Sequence, residues 1–492
     1  MVFSAPTFLF LFLPVVLSVV LIAPRALRNT LLLAASLFFY AWGETGFVVV
    51  MIGSIVFNYL AGLGIGRFGG AGRTWMSPLL LALAVAGNLA LLGWFKYAGF
   101  LAENLSVLLA SLGLGEGSFS QAPADSIHLP IGISFFTFQA ISYLIDIHRG
   151  EHPPQRNPIR LALFISLFPQ LIAGPIVRYK DLVDQLASRA IDVEAVAAGI
   201  RRFTVGLSKK LLIANSLGVP ADAIFALPAG ELGPSVAWFG LLCYSLQIYF
   251  DFSGYSDMAI GLGRLFGFRL PENFDQPYRA ASLTEFWRRW HISLSSWFRD
   301  YLYIPLGGNR HGSRRTYVNL LIVFLLCGLW HGASWNFIVW GLLHGTFLTI
   351  ERAGLRGVLE QISRPIAHGY CLFVVGLAWV FFRAESLPHA IDFGASLFGL
   401  GIAEAAEAKL IVDFASVEAL VVCAVGICWA AGLLQRLVEG LSRVARVGES
   451  ISSAGRSLLY AWLPTSGMLA LWFLCAMKLA SRTYDPFLYF RF

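Results

Sequence analysis

The chain has 492 residues, 57% of them hydrophobic and only 13% charged, with a mean hydropathy of +0.69. A water-soluble domain carries roughly a quarter charged residues, so this composition excludes a protein whose whole surface faces water. The formal net charge of +7 is spread between apolar spans, the pattern that orients membrane helices and meets anionic lipid, and it argues against a nucleic-acid surface.

Lipid is the remaining solvent, and a helix crosses it with about 20 mostly apolar residues. The reading is an all-α, polytopic integral membrane protein, formed as one domain over residues 1–492. Hydropathy places candidate spans at 3–22, 30–42, 47–65, 78–95, 127–145 and 161–177, then 203–224, 236–262, 317–350, 368–382, 410–434 and 458–479. This gives about a dozen transmembrane or re-entrant helices. The first apolar run lacks a basic n-region and leads straight into another span, so it is read as a retained helix and not a signal peptide. Arg25, Arg28, Arg67, Arg73, Arg149, Arg156 and Arg160 mark cytoplasmic loops, whereas 113–126, with Glu116 and Asp125 and no basic residue, fits the outside.

Gly64-Ile-Gly66-Arg-Phe-Gly69 matches GxGxxG but ends an apolar helix, so the strand-to-helix context of a dinucleotide site is missing. Gly62, Gly66 and Gly70 instead have the spacing that suits helix contact. Leu167-Phe-Pro-Gln-Leu-Ile-Ala-Gly-Pro175 reads as a broken segment, tolerated only where protein or a water-filled cavity satisfies its backbone. Asp251-Phe-Ser-Gly-Tyr255-Ser-Asp257 sets two carboxylates late in an apolar run. Structural hydrogen bonding at a helix break is the favoured reading, and donor contacts from Tyr255 and Asp257 are the alternative.

Residues 264–315 hold nine arginines against four acids and should lie at the cytoplasmic face or interface. Within them, 285–303 sets Phe286, Trp287, Trp290, Trp297, Phe298 and Tyr301 among arginines, as in an interfacial amphipathic helix with rings at headgroup level. Arg288, Arg289 and Arg299 would suit the phosphates of a coenzyme A or phosphopantetheine arm, or equally lipid headgroups. His291, at the membrane edge on this reading, either assists chemistry or anchors the interface.

His331 lies in Cys327-Gly-Leu-Trp-His331-Gly-Ala-Ser-Trp335-Asn336, with apolar sequence on both sides. An ionisable group at membrane depth is by default a functional candidate. Acyl transfer from a thioester to an alcohol needs a base for the hydroxyl proton, and a positioned histidine supplies about 10²–10⁴ in rate. Asn336 and Ser334 are candidates to steady the oxyanion. Packing between helices is the competing role for His331. Cys327 is one helical turn away, a candidate acyl-enzyme that is more simply a helix-packing thiol. His344 falls roughly opposite His331 on a straight helix and is left unpaired. None of the six cysteines has CxxC or Cys/His ligand spacing, so neither a disulfide framework nor a metal site is expected. GxSxG and GxxxxGK are absent.

At these residues the chain resembles the membrane-bound O-acyltransferase (MBOAT) family, in its alginate O-acetyltransferase branch. The likeness runs from Met1-Val-Phe-Ser-Ala-Pro-Thr through Leu129-Pro-Ile-Gly-Ile-Ser, Leu167–Pro175, Tyr249–Asp257, Phe286–Ser295, Arg299–Gly308 and Leu329-Trp-His331-Gly to Phe487-Leu-Tyr-Phe-Arg-Phe492. The resemblance implies a funnel of tilted and re-entrant helices in the bacterial inner membrane, His331 as the catalytic histidine and His291 as its second polar position. It implies no bound cofactor. The acyl donor would be a substrate, acetyl-CoA or the phosphopantetheine thioester of an acyl carrier protein, and a periplasmic acetyltransferase partner would complete transfer to an exported polysaccharide. Against this stand a polysaccharide transporter or flippase, which predicts two equivalent halves, and a nonenzymatic scaffold of an export complex.

Overall fold

The computed structural model describes residues 1–69, 75–113, 128–400, 409–434, 436 and 453–481. Arg73, Glu116, Asp125 and the motif Phe487–Phe492 therefore lie outside the described residues. All regular structure among the described residues is helical.

A π-helical turn, Phe8–Phe12, runs into α1 (Leu13–Ile22), followed by α2 (Arg25–Gly43), α3 (Val48–Phe68), α4 (Met76–Ser111) and α5 (Ile133–His148). Asn58 of α3 and Asn88 of α4 exchange amide hydrogen bonds of 3.0 and 2.8 Å, polar contacts that hold helices together where apolar surface gives no preference over lipid. A Cβ on Gly62 would strike the Tyr143 ring of α5, and one on Gly66 would strike Pro154. The glycines of the GxGxxG stretch therefore serve helix packing.

The expected break comes next. Asn157 caps α6 (Pro158–Ser166), accepting from the amides of Ile159 at 3.0 Å and Arg160 at 3.3 Å, with Pro158 at the first helical position. A single turn, α7 (Phe168–Leu171), then gives way to irregular chain before α8 (Tyr179–Ala187). Residues 161–177 are buried apart from Ala162, and protein atoms meet this backbone: Phe168 N–H donates to Ser36 Oγ at 3.2 Å and Ile176 N–H to Ser293 Oγ at 2.9 Å.

Helices α9 (Val193–Ser208), α10 (Asn215–Phe225) and α11 (Pro234–Leu265) form the centre, with a π-helical turn, Lys209–Ala214, between the first two. Nearly all of α11 is buried. Gly199 and Gly206 of α9 face Gly261 and Gly254 of α11 so closely that a Cβ at any of them would fall 2.5–2.8 Å from a backbone oxygen of the other helix. Lys209 pairs with Asp257 at 2.7 Å and Lys210 with Asp251 at 2.8 Å across this crossing.

The second half comprises α12 (Leu283–Arg289), α13 (Ile292–Phe298), α14 (Gly312–His331), α15 (Trp335–Ile350), α16 (Arg356–Gln361), α17 (Arg364–Arg383), α18 (Leu387–Leu397), α19 (Val417–Ala430) and α20 (Ser453–Ala480). Among the described residues three helices, α3, α4 and α17, are long and apolar enough to cross a membrane, and Phe8–Ile22, Val417–Ala430 and Thr465–Ala480 are shorter apolar helices. Large apolar side chains such as Phe10, Leu60, Trp94 and Leu101 lie more than half exposed on the outer helices, the surface that lipid, not water, would cover.

Candidate active site

The apolar stretch around His331 is a hairpin, not the single run 317–350 that hydropathy suggests. Helix α14 ends at His331 because Gly332 turns to extended backbone, φ −164° and ψ 151°, and α15 starts at Trp335. The two helices touch at Gly328 and Gly341, where a Cβ would collide with the carbonyl oxygens of Phe337 and Phe324. The turn leaves His331 buried, 6% exposed, at the end of a helix. Its ring meets the edges or faces of Trp330, Trp340 and Phe382 at 4.9–5.2 Å.

The last carbonyls of a helix have no partner within it. Here α4 supplies them. Tyr97 Oη donates to Leu329 O at 2.7 Å, and Lys96 Nζ donates to Trp330 O at 2.5 Å and His331 O at 3.1 Å. The ammonium also lies 5.9 Å from the Trp330 ring centroid. A cation suits this place because the helix C-terminus carries the negative end of its dipole. Sequence reasoning passed over Lys96, although a lone lysine in the apolar stretch 89–101 is the signal that marked His331.

Lys96 and His331 share a cavity of about 390 Å³ with Leu129, Gly132, Ser134 and Trp330. The Leu129-Pro-Ile-Gly-Ile-Ser motif is thus a wall of the site. Gly132 sits in the left-handed region, φ +76°, and a Cβ there would lie 2.6 Å from Leu171 O, so this turn requires glycine. His128, beside it, contacts both carboxylate oxygens of Glu44 at 3.0–3.1 Å.

His291 is fully buried, with its ring centroid 6.4 Å from that of His331. It does not sit at the membrane edge, and 285–303 is not one interfacial helix. The chain breaks between α12 and α13, where His291 adopts the left-handed region, φ 45° and ψ 52°. The rings expected at headgroup level are buried instead. Trp297 stacks on Phe138 of α5 at 3.8 Å and donates from Nε1 to its carbonyl at 3.0 Å, and Tyr301 Oη donates to Asp146 at 2.7 Å. These contacts hold the segment inside the protein. Asn273 Oδ1 lies 3.3 Å from His291 Nδ1.

A third histidine joins them. His344 is fully buried and accepts from Trp287 Nε1 at 3.3 Å, and Trp340 lies between it and His331, 4.9 and 5.0 Å from the two rings. The straight-helix argument that separated His344 from His331 fails because the helix turns back between them.

The other candidates are placed as follows. Asn336 is buried and its amide donates to Ala384 O at 2.7 Å, while Ser334 precedes the first turn of α15. Neither lines the His331 cavity. Cys327 is buried on α14 and is not part of that cavity either. Tyr255 stacks on Phe3 at 4.6 Å, and Asp257 is held by Lys209 and by Arg202 at 2.6 Å, the structural bonding favoured for this motif. Arg288 and Arg289 line a polar cavity of about 630 Å³ with Asp275, Glu285, Arg356 and Arg364. Arg289 pairs there with Glu285 and Asp275, each at 3.0 Å. Arg299 pairs with Asp300 at 2.7 Å and is no part of that cavity. A larger, apolar cavity of about 740 Å³ between α11 and α17 borders neither His291 nor His331. Its wall residue Trp379 lies 5.0 Å from Trp290.

The chemistry available is that of a buried imidazole beside a second one, on the wall of a cavity able to admit a small acyl group and a hydroxyl. The sequence profile of MBOAT, the membrane-bound O-acyltransferase family, matches residues 151–387, which include His291 and His331. The chain is 43% identical over 514 aligned residues to the probable alginate O-acetylase AlgI of Azotobacter vinelandii, with 100% of both chains covered. It is 39% identical over 437 residues to the peptidoglycan O-acetyltransferase of Helicobacter pylori, covering 81% of this chain and 80% of that one. Similarity extends to the teichoic acid D-alanyltransferase of Bacillus subtilis, 31% identical over 233 residues, covering 44% of this chain and 58% of the relative.

Proposed function

The chain belongs to the membrane-bound O-acyltransferase family, and from that premise we propose that it takes acetyl from a cytoplasmic thioester and passes it across the membrane for O-acetylation of an exported, alginate-like polysaccharide. The observation that carries this reading is His331 itself, a buried imidazole in the wall of a cavity of about 390 Å³, with the His291 ring 6.4 Å away. In the step proposed, His331 accepts the hydroxyl proton while the oxygen attacks the thioester carbonyl. The new C–O bond forms, the C–S bond breaks, and the proton passes to the departing thiolate.

The chain is a membrane O-acyltransferase of the bacterial inner membrane. Its relatives are named for acyl transfer onto alginate, peptidoglycan and teichoic acid, and the full-length match to alginate O-acetylases favours a polysaccharide acceptor over the others. The donor is acetyl-CoA or an acyl carrier protein, its phosphates meeting Arg288 in the polar cavity. A periplasmic acetyltransferase partner receives the group. About a dozen transmembrane and re-entrant helices, one domain throughout, form the funnel that joins the two sides.

The test is the O-acetyl content of the exported glycan in cells carrying wild-type protein or His331→Ala at matched membrane levels. Loss of acetate with glycan output unchanged is the expected result. Loss of the glycan itself would point to a transporter, and full acetylation in the variant would overturn the assignment of the base.

A further inference from the structure

We propose that Asn273 is a positioning residue that fixes the tautomer of His291, with the hydrogen on Nδ1 and the lone pair on Nε2. The argument begins with a group that has no choice of role. The backbone N–H of Ser293 can only donate, and it meets the Asn273 side chain at 3.1 Å, so the atom it meets is the amide oxygen. The other end of that amide donates to Ser256 Oγ at 2.9 Å, which agrees. Ser293 Oγ accepts from Ile176 N–H at 2.9 Å, leaving its own hydrogen to turn to Asn273 Oδ1 at 2.8 Å. His291 Nδ1 lies 3.3 Å from the same oxygen. An amide oxygen carries no hydrogen, so this contact is a hydrogen bond only when Nδ1 carries one. A neutral imidazole holds a single N–H, which makes Nε2 its lone-pair nitrogen.

Asn273 also holds the backbone that presents this ring. Left-handed φ and ψ at a non-glycine residue cost about 1–3 kcal/mol and persist only when neighbours over-determine them. Here Asn273 O accepts from Ile292 N–H at 3.0 Å while its side chain accepts from Ser293. Three consecutive positions, 291 to 293, are therefore gripped by one residue. Through Ser256 and Ser293 the same residue ties the ring to α11 and to the broken segment after α7.

The chemical consequence rests on the acyltransferase reading above. A neutral His291 with its lone pair on Nε2 cannot donate from that nitrogen to an oxyanion. Its role in the reacting cluster is to accept an N–H or O–H, and stabilisation of the developing oxyanion falls to other donors.

The tautomer is tested without reference to activity, by ¹⁵N NMR of the full chain labelled at histidine nitrogen, with His291→Gln used to assign the resonances. A protonated Nδ1 and a bare Nε2 are expected for His291 in the wild type. Asn273→Ala should mix the two tautomers, and Asn273→Asp, which keeps an acceptor oxygen, should preserve the wild-type form. Loss of such a supporting partner lowers kcat by about 10- to 100-fold, with donor KM little changed and partial recovery in Asn273→Asp. A wild-type ring protonated at Nε2, or an unchanged tautomer in Asn273→Ala, would overturn the proposal. If the alanine variant does not fold, the wild-type and Asn273→Asp spectra decide it. Wild-type protein that shows the expected tautomer but transfers no acyl group would sink the acyltransferase reading and leave this one standing.

Discussion

Lys96 and His331 stand on different helices, and the lysine ammonium donates to the histidine's own carbonyl at 3.1 Å while holding the preceding carbonyl at 2.5 Å. The proposed base is therefore positioned from α4, far away in sequence. Lys96→Met should leave these carbonyls without their donor, at a cost of about 1–3 kcal/mol in stability. It should also lower kcat by about 10- to 100-fold through misplacement of the imidazole. Lys96→Arg, which keeps the charge and donors, should retain part of the activity. Thermal unfolding in detergent and steady-state thioester consumption read the two effects separately. Equal activity in Lys96→Met and wild type would remove Lys96 from the site's support.

Gly328 and Gly341 make the hairpin of α14 and α15 possible by letting the backbones touch. Adding a methyl at either forces the helices apart, and overpacking of this kind costs about 1–3 kcal/mol. Gly328→Ala and Gly341→Ala should each lower the unfolding temperature and depress activity, because His331 lies one turn beyond Gly328 on the same helix. Gly53 of α3 offers the contrast, since nothing lies within 4 Å of where its Cβ would be. Gly53→Ala should be neutral or stabilising, by up to about 1 kcal/mol.

What could be read from the sequence divides along physical lines. His331 was legible because an ionisable ring in apolar sequence is costly wherever the chain turns. The hairpin that carries it was not, because a hydropathy window averages across Gly332-Ala-Ser334 and sees one apolar run. The alternation of rings and arginines in 285–303 gives the same pattern for a helix lying in the headgroups and for a buried segment whose arginines end in a polar cavity. Only the packing of Trp297 on Phe138 distinguishes them. Asn273 had no signal, since its value lies in two hydrogen bonds to residues downstream. Lys96 had one that went unused.

Cys327 lies one turn before His331 yet borders neither its cavity nor the polar one. Direct transfer is the simpler route through this geometry. Cys327→Ala should keep activity within about threefold of wild type, since deleting one buried sulfur leaves no unsatisfied strong hydrogen-bonding group. Radiolabelled acetyl bound covalently to the wild type and absent from Cys327→Ala would instead establish an acyl-enzyme on this thiol.

The polar cavity separates the three arginines that sequence alone grouped together. Arg289 is engaged by Glu285 and Asp275, and Arg299 by Asp300 outside the cavity, whereas Arg288 lines the cavity with no ion pair among the described residues. Burial works against the Glu285 carboxylate, but the Ala281 N–H and the Arg289 guanidinium outweigh it and hold the group below its ordinary value of 4.5. A depressed carboxylate lends its pair stability above the ordinary value and loses it only as pH falls through the lowered one. Arg289 therefore stays committed throughout pH 5–8, and Arg288 is the guanidinium left for donor phosphates. Arg288→Ala should raise donor KM several-fold with kcat unchanged, the signature of lost uniform binding. The difference should shrink as salt screens the charge. Arg299→Ala should leave KM where it was. An Arg288→Ala enzyme with unaltered KM at low salt would move the donor dock away from this cavity.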